Sequence, residues 1–331
     1  MNNYICQPAY VLTNQDSIIV DDSLPGCSLQ CLDDCREEAW VKRYLHTGFA
    51  RHGYTPNTQS RGGYALKVED GFESPDPLRT CFYITQDRVS QKPHNLVVIG
   101  DNARVRLIST CKSYNENVSS HLGDTELFIG KNSSVELFMI HSWNHKTRVA
   151  PRTVVIMDEG SYFQDNYSLI QSPSYYSFHP MIYSSDRCKV EAHSRCEFNG
   201  TDRGTIGCSV YMEGSGISAD INGSSIANNS RITNPFSIDC RGEDNYGHVV
   251  CDGVLLDNNS EIHATPALTN ASLSSNLSHE ASIGSLNRQQ LAYLNSRGLD
   301  QQEATELLIH SHLSNSIDWV PDNVLKEVQG A

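Results

Sequence analysis

Cys251, His279 and Glu280 place a thiolate, an imidazole and a carboxylate within the window 251–280 of a 331-residue chain. Iron accepts all three donors. A thiolate binds it strongly, whereas imidazole and carboxylate are weaker, exchangeable ligands. A mixed set of this kind suits a site that must release what it holds better than four cysteines would. His248, in Gly247-His248-Val249-Val250-Cys251-Asp252-Gly253, and Cys240 are weaker candidates close by. Each has a plainer explanation: a single cysteine in a strand is more often core than ligand, and His279 and Glu280 could simply cap a junction between strand and helix. Cys27, Cys31 and Cys35 form a second set. On a helix their four-residue spacing would put the thiols on one face, which could hold an iron–sulfur cluster, although small buried cysteines on an apolar face are common.

The elements that must position these groups fall into three stretches. Residues 1–90 are irregular, with a helix expected over about Ser28–Leu45, loop over 51–80 and a short strand at Cys81-Phe82-Tyr83-Ile84-Thr85. The helix expectation rests on Cys31, Cys35 and Ala39 at i, i+4, i+8, with Asp33 and Asp34 early and Lys42 and Arg43 late. Over 91–275 short apolar runs recur, among them Leu96-Val97-Val98-Ile99, Leu127-Phe128-Ile129 and Thr153-Val154-Val155-Ile156-Met157. Small polar turns punctuate them, such as Gly100-Asp101-Asn102, Gly130-Lys131-Asn132, Asp158-Glu159-Gly160, Asn228-Asn229-Ser230 and Asp257-Asn258-Asn259. The first three turns lie about 30 residues apart and later spacings vary, which predicts rungs of a β-helix, with a sandwich as the alternative. Cys111, Cys188, Cys196 and Cys208 then belong to the solenoid interior.

Residues 276–331 read as helical. Asn287 is a cap, Gly298 a stop, and Asp300 with Glu303 a capping box, followed by Ala304, Leu307 and Leu308 on one face. Pro321-Asp322 opens a third short helix carrying Val324, Leu325 and Val328. Such a unit is too small to be robust alone and must pack on the solenoid, bind a partner, or both.

Composition narrows the function. A formal net charge of −14 with no Lys/Arg cluster argues against a nucleic-acid groove. No apolar run approaches the roughly 18 residues of a membrane span, and the N-terminus lacks a signal-peptide pattern. A cytoplasmic protein with thiols rather than disulfides is therefore expected, and sequons such as Asn132-Ser133-Ser134 read as turns. A solenoid also leaves open ends and strand edges that must be capped or paired: the N-terminal region can cover one end and the helical tail the other, and a bare lateral edge could pair with a second copy.

Leu277-Ser278-His279-Glu280-Ala281-Ser282-Ile283-Gly284, then Gln290-Leu291-Ala292-Tyr293-Leu294 and Ser296-Arg297-Gly298-Leu299, then Glu303-Ala304, resemble the C-terminal signature of the SufB/SufD family of iron–sulfur cluster scaffolds. Gly247-His248 with Cys251 and Gly253, Pro266-Ala267-Leu268, and Ile140-His141-Ser142-Trp143 ahead of Arg152-Thr153 fit the same family. The resemblance covers roughly residues 90–315 and is nearest the compact single-scaffold version of minimal archaeal-type systems. It implies a right-handed parallel β-helix, a helical C-terminal domain that docks a SufC-like ABC-type ATPase, and a dimer, here a homodimer. It further implies a non-catalytic scaffold that binds an iron–sulfur cluster transiently, of the 4Fe–4S type, and hands it to apo-protein acceptors. Cys251 matches the SufB cysteine at the dimer interface, Glu280 a SufB glutamate and His279 the corresponding SufD histidine. Glu280 is the ligand expected beside Cys251, with His279 as ligand or supporting neighbour. Leu308-Ile309-His310-Ser311-His312-Leu313 departs from the family's usual Gly-Phe ending and leaves the detail of ATPase docking open. The competing readings are a metal-free interaction scaffold and a β-helix carbohydrate-active enzyme, the latter disfavoured by dispersed carboxylates and no export signal.

Overall fold

The computed structural model describes residues 8–21, 26–55, 59–200, 202–313, 319–321 and 323–324. Its body is a parallel β-solenoid. Three sheets of ten, nine and seven strands run its length, and each coil contributes one strand to each sheet. One coil shows the plan: His94–Ile99 in the second sheet, Arg104–Ser113 in the first and Ser119–His121 in the third. Asp124–Ile129 then lies parallel to His94–Ile99, with His94 opposite Asp124. The coil is thus 30 residues long here, and stacking coils buries a continuous core that no single coil could bury.

The turns explain the punctuation of the sequence. Asn102, Asn132, Gly160, Arg187 and Gly216 all have φ between 52° and 72°, the left-handed region that Asn and Gly adopt most easily. Each donates its backbone N–H to the next turn: Asn102 to Lys131 O (2.7 Å), Asn132 to Glu159 O (3.0 Å), Gly160 to Asp186 O (2.8 Å) and Arg187 to Ser215 O (2.8 Å). Positions 102, 132, 160, 187 and 216 are 27 to 30 residues apart, so the repeat is regular. Asn228-Asn229 and Asp257 belong to another corner, where Asn228 Nδ2 donates to Asn199 Oδ1 (3.0 Å). The variable spacing expected from the sequence came from merging two turn ladders.

The parallel ladders begin before Asn95. Tyr64–Val68 and Leu78–Ile84 already stack on the next coil, the latter containing the expected strand at residue 81. Antiparallel neighbours end two of the sheets: Asp16–Ile19 beside Tyr10–Thr13, and Cys27–Cys31 beside Tyr64–Val68. They cover edges that would otherwise be free to pair.

The helix expected over 28–45 does not form as one piece. Cys27–Cys31 is a strand, followed by short helices Leu32–Cys35, Ala39–Tyr44 and Thr47–Arg51. Pairing with Tyr64–Val68 overrides the local helical spacing, because Leu29 then enters the core. Four strand steps put Cys27 and Cys31 about 13 Å apart, so the three thiols share no helical face. Leu32, Cys35 and Val41 pack instead on Ala65, Leu96 and Val98, on the outside of the second sheet. This is why His94–Ile99 is buried along its whole length rather than on alternate residues.

The helical region expected from residue 276 begins later, because Asn276–Ser285 pairs with Tyr246–Leu255 as the last strand of the first sheet; from Asn287 onward the helices follow the expected signals. Asn287 Oδ1 accepts from the N–H groups of Gln289 (2.9 Å) and Gln290 (3.3 Å) at the start of Arg288–Ser296. Gly298, at φ 102°, ends that segment. Asp300 and Glu303 form the reciprocal capping box, both bonds 2.8 Å, at the start of Gln301–Leu313. The third expected helix falls mostly outside the described residues. Val320 and Val324 are buried against Ile108, Phe138 and Ile140 on the outer face of the first sheet.

Candidate functional site

Strands Tyr246–Leu255 and Asn276–Ser285 are the last two of the first sheet. Their register pairs His248 with Ser278, Val249 with His279, Val250 with Glu280 and Cys251 with Ala281. Successive side chains alternate between faces. Val249 and Cys251 enter the core, so His279 shares their inward side, while Glu280 and His248 point outward. Cys251 and His279 are diagonal neighbours: strands about 4.8 Å apart with a two-residue offset separate their Cα atoms by about 8 Å. Glu280 lies across the sheet from the thiol. His279 and Glu280 are both exposed because no further strand pairs with theirs.

Cys251 is only 3% exposed and packs within the main core. Burial pushes its thiol up to about 11, so it is protonated at neutral pH. Its partner in the preceding coil is Gly223. A Cβ at Gly223 would come within 2.3 Å of the Phe236 ring, so this position is held open for the aromatic beneath Cys251.

The other candidates are placed separately. His248 Nδ1 and Ser278 Oγ hydrogen-bond at 2.8 Å on the outer face. Cys240 ends a strand of the second sheet, and its sulfur accepts from Asn245 Nδ2 at 3.3 Å. Asn245 Oδ1 in turn accepts from Ile217 N at 2.7 Å, so Cys240 belongs to a turn-anchoring network. Cys35 donates to the carbonyls of Cys31 (3.4 Å) and Leu32 (3.7 Å). Burial is the main cause that raises Cys27 and Cys35 to about 11 and Cys31 also upward. Burial thus favours the protonated thiol at all three. Cys111, Cys188, Cys196 and Cys208 are buried, as expected of solenoid interior.

The strand carrying His279 and Glu280 passes through Ser285, Leu286 and Asn287 directly into the helix Arg288–Ser296. The second helix returns over the sheet, where His312 Nδ1 lies 3.6 Å from Asp252 Oδ2. Asp252 is the residue after Cys251, so the tail is joined to both strands at this site.

The model of the SufBD core domain of the SUF iron–sulfur cluster assembly system matches residues 82–312. The chain belongs to the SufBD family. An iron–sulfur cluster assembly SufBD family protein of Methanothermobacter thermautotrophicus is 29% identical over 308 residues, covering 88% of this chain and 74% of the relative. One of Archaeoglobus fulgidus is 26% identical over 331 residues, covering 97% and 88%. The iron–sulfur cluster assembly protein SufB of Bacillus subtilis is 25% identical over 272 residues, covering 75% of this chain and 54% of SufB. Membership implies a role in iron–sulfur cluster assembly, as the resemblance suggested. No helix among the described residues is long and apolar enough to cross a membrane.

The sequence reading missed one grouping. His46, His94 and Glu126 come from three separated stretches and meet outside the second sheet. Only the coil register, which sets Leu96 beside Glu126, could have revealed it.

Proposed function

We propose that this SufBD protein is a non-catalytic scaffold on which an iron–sulfur cluster is built at Cys251 and from which it is released to apo-proteins. The carrying observation is the shared inward side of Cys251 and His279 on the last two strands of the first sheet. The register favours His279, rather than Glu280, as the companion of Cys251 within one protomer. Glu280 points outward and is available to a second copy, so a two-fold dimer would bring together two such sets.

A buried, protonated thiol cannot bind iron until it is uncovered and deprotonated. The tail supplies the lever. Force applied to Arg288–Ser296 is transmitted along the chain to Asn276–Ser285, the strand that covers Cys251. A SufC-like ABC-type ATPase bound to the tail would apply that force through its ATP-driven movement. Tyr293 and Leu307, 62% and 48% exposed, offer apolar contacts for it. Loosening the last strand admits water, lowers the cost of the thiolate, and opens the site for assembly and later for transfer. The mixed ligand set keeps the cluster, expected to be of the 4Fe–4S type, exchangeable.

The test is anaerobic reconstitution with ferrous iron and sulfide in the presence of the ATPase, read by visible absorbance and by iron and sulfide analysis. Cys251→Ser should lose the cluster. Full retention would overturn the site, and absence of any cluster in the wild-type complex would favour a metal-free scaffold.

A further inference from the structure

The His46, His94 and Glu126 grouping lies on the outside of the solenoid, away from the core that contains Cys251. Glu126, on Asp124–Ile129, and His94, on His94–Ile99, stand on neighbouring strands of the second sheet with their side chains fully buried. His46 immediately precedes the helix Thr47–Arg51, which packs on this sheet through Phe49, Val154 and Met181. His94 Nε2 is 2.9 Å from Glu126 Oε2, and the two imidazole centroids are 5.0 Å apart at 63°. One ligand atom from each residue lies within 4.8 Å of the others.

A structural role accounts for only part of this arrangement. Glu126 Oε2 accepts from the His46 N–H (2.7 Å), and Oε1 accepts from those of Gly48 (2.8 Å) and Phe49 (3.3 Å). The carboxylate therefore already closes the first turn of the helix without either imidazole. The two rings bring further polar atoms into an apolar setting, where Nδ1 of His46 is buried without a hydrogen-bond partner. Burying an unpaired polar atom is costly, so an unpartnered His46 Nδ1 beside a buried carboxylate calls for a ligand. Arg152, over the neighbouring Phe49 ring, does not supply it, because it is held by Asp124 through two bonds of 2.8 and 2.6 Å.

The backbone around the cluster is also held in place. Gly63 has φ 100°, and a Cβ there would meet the carbonyl oxygen of His94 at 1.9 Å, so only glycine allows this approach. His46 itself has φ 70°, which is uncommon for a residue with a side chain and turns the chain back toward the sheet.

We propose that His46, His94 and Glu126 bind one divalent first-row transition metal ion, of the zinc and ferrous class, that fastens the N-terminal helices to the solenoid. Two imidazoles and a carboxylate are borderline and hard donors suited to these ions, and they leave coordination positions for water. Binding needs only displacement of the His94–Glu126 hydrogen bond and any proton it carries. Glu126 keeps its helix-capping bonds through Oε1.

The test uses the full chain, stripped with chelator and titrated with cobalt(II), zinc(II) and, anaerobically, iron(II). Wild type should take up one equivalent of each. The cobalt form should show ligand-field bands without the charge-transfer band of a thiolate ligand, which separates this site from every cysteine. His46→Asn is the informative variant, because Asn tolerates the left-handed backbone. It should weaken binding by at least about 100-fold and abolish the metal-dependent rise in melting temperature, while Cys251→Ser leaves both unchanged. His94→Gln should behave like His46→Asn. No uptake by folded wild-type protein, equal uptake by wild type and His46→Asn, or a thiolate band in the cobalt spectrum would each overturn the proposal. Preference among the three metals then decides between a structural zinc ion and an iron-holding site.

Discussion

Uncovering Cys251 should be measurable as a change in its chemical reactivity. Alkylation by iodoacetamide requires the thiolate. With the thiol raised from 9.0 to about 11 by burial, about one molecule in 1,000 carries the thiolate at pH 8, against about one in ten for an unshifted group. The difference is about 100-fold, or about 2.7 kcal/mol at 1.36 kcal/mol per pKa unit. Steric shielding of a residue 3% exposed slows the reaction further. Alkylation of Cys251 in the folded chain, followed by mass spectrometry of its peptide, should thus run at least about 100-fold slower than in urea. Its rate should keep rising with pH up to about 11 instead of levelling near 9. The sign of the linkage agrees: the folded thiol holds its proton longer than the unfolded one, so this group's stabilisation is complete below pH 9 and is lost between 9 and 11. Adding the ATPase partner and ATP should accelerate modification of Cys251 but not of buried Cys196, which burial pushes up to about 12. Equal rates in folded and unfolded chain would refute the burial argument. An unchanged rate with partner and ATP would refute the lever.

Two further measurements probe the scaffold. Asp165 is buried with Oδ1 unpartnered, and desolvation raises its carboxyl to about 7. The unfolded carboxyl ionises near 4, so between pH 4 and 7 the folded state holds a proton that the unfolded state has lost, and stability falls as pH rises. Asp165→Asn should remove this slope of up to about 4 kcal/mol, read from urea midpoints across that range; an identical slope in the variant would show that other groups cause it. In the turn ladder, Asn132→Ala should cost about 1–2 kcal/mol for forcing alanine to positive φ, and Asn132→Gly should cost less. Equal losses in the two would mean that the Asn side chain, not the backbone conformation, carries the turn.

What the sequence disclosed depended on how far apart the deciding residues were. The caps at Asn287 and at Asp300 with Glu303 join atoms two or three residues apart, and all formed as read. The coils were legible because each repeats the same short phrase, strand then Asn or Gly turn. The helix expected through Cys31 and Cys35 failed because its determinant, Tyr64–Val68, lies more than 30 residues away and rewards a strand.

Both sites obey one parity rule that becomes usable only when the coil length is known. Cys251 faces Ala281 one coil later, 30 residues on, just as His94 faces Asp124. A residue two positions from that partner shares the face, and a residue one position away does not. His279 stands two before Ala281, and Glu126 stands two after Asp124, so each joins its cysteine or histidine. Glu280 stands one before Ala281 and is sent to the opposite face. A one-residue deletion in the turn that leads from Ala267–Asn270 into the last strand, for example of Ser274, tests this by shifting that strand's register. It would bring Glu280 to the inward side and His279 outward. If Cys251 is served by the inward donor of its own chain, that variant should retain a cluster whose histidine signature is lost in electron–nuclear spectroscopy. If the outward residue serves it across a dimer, the wild type should lack that signature from the start.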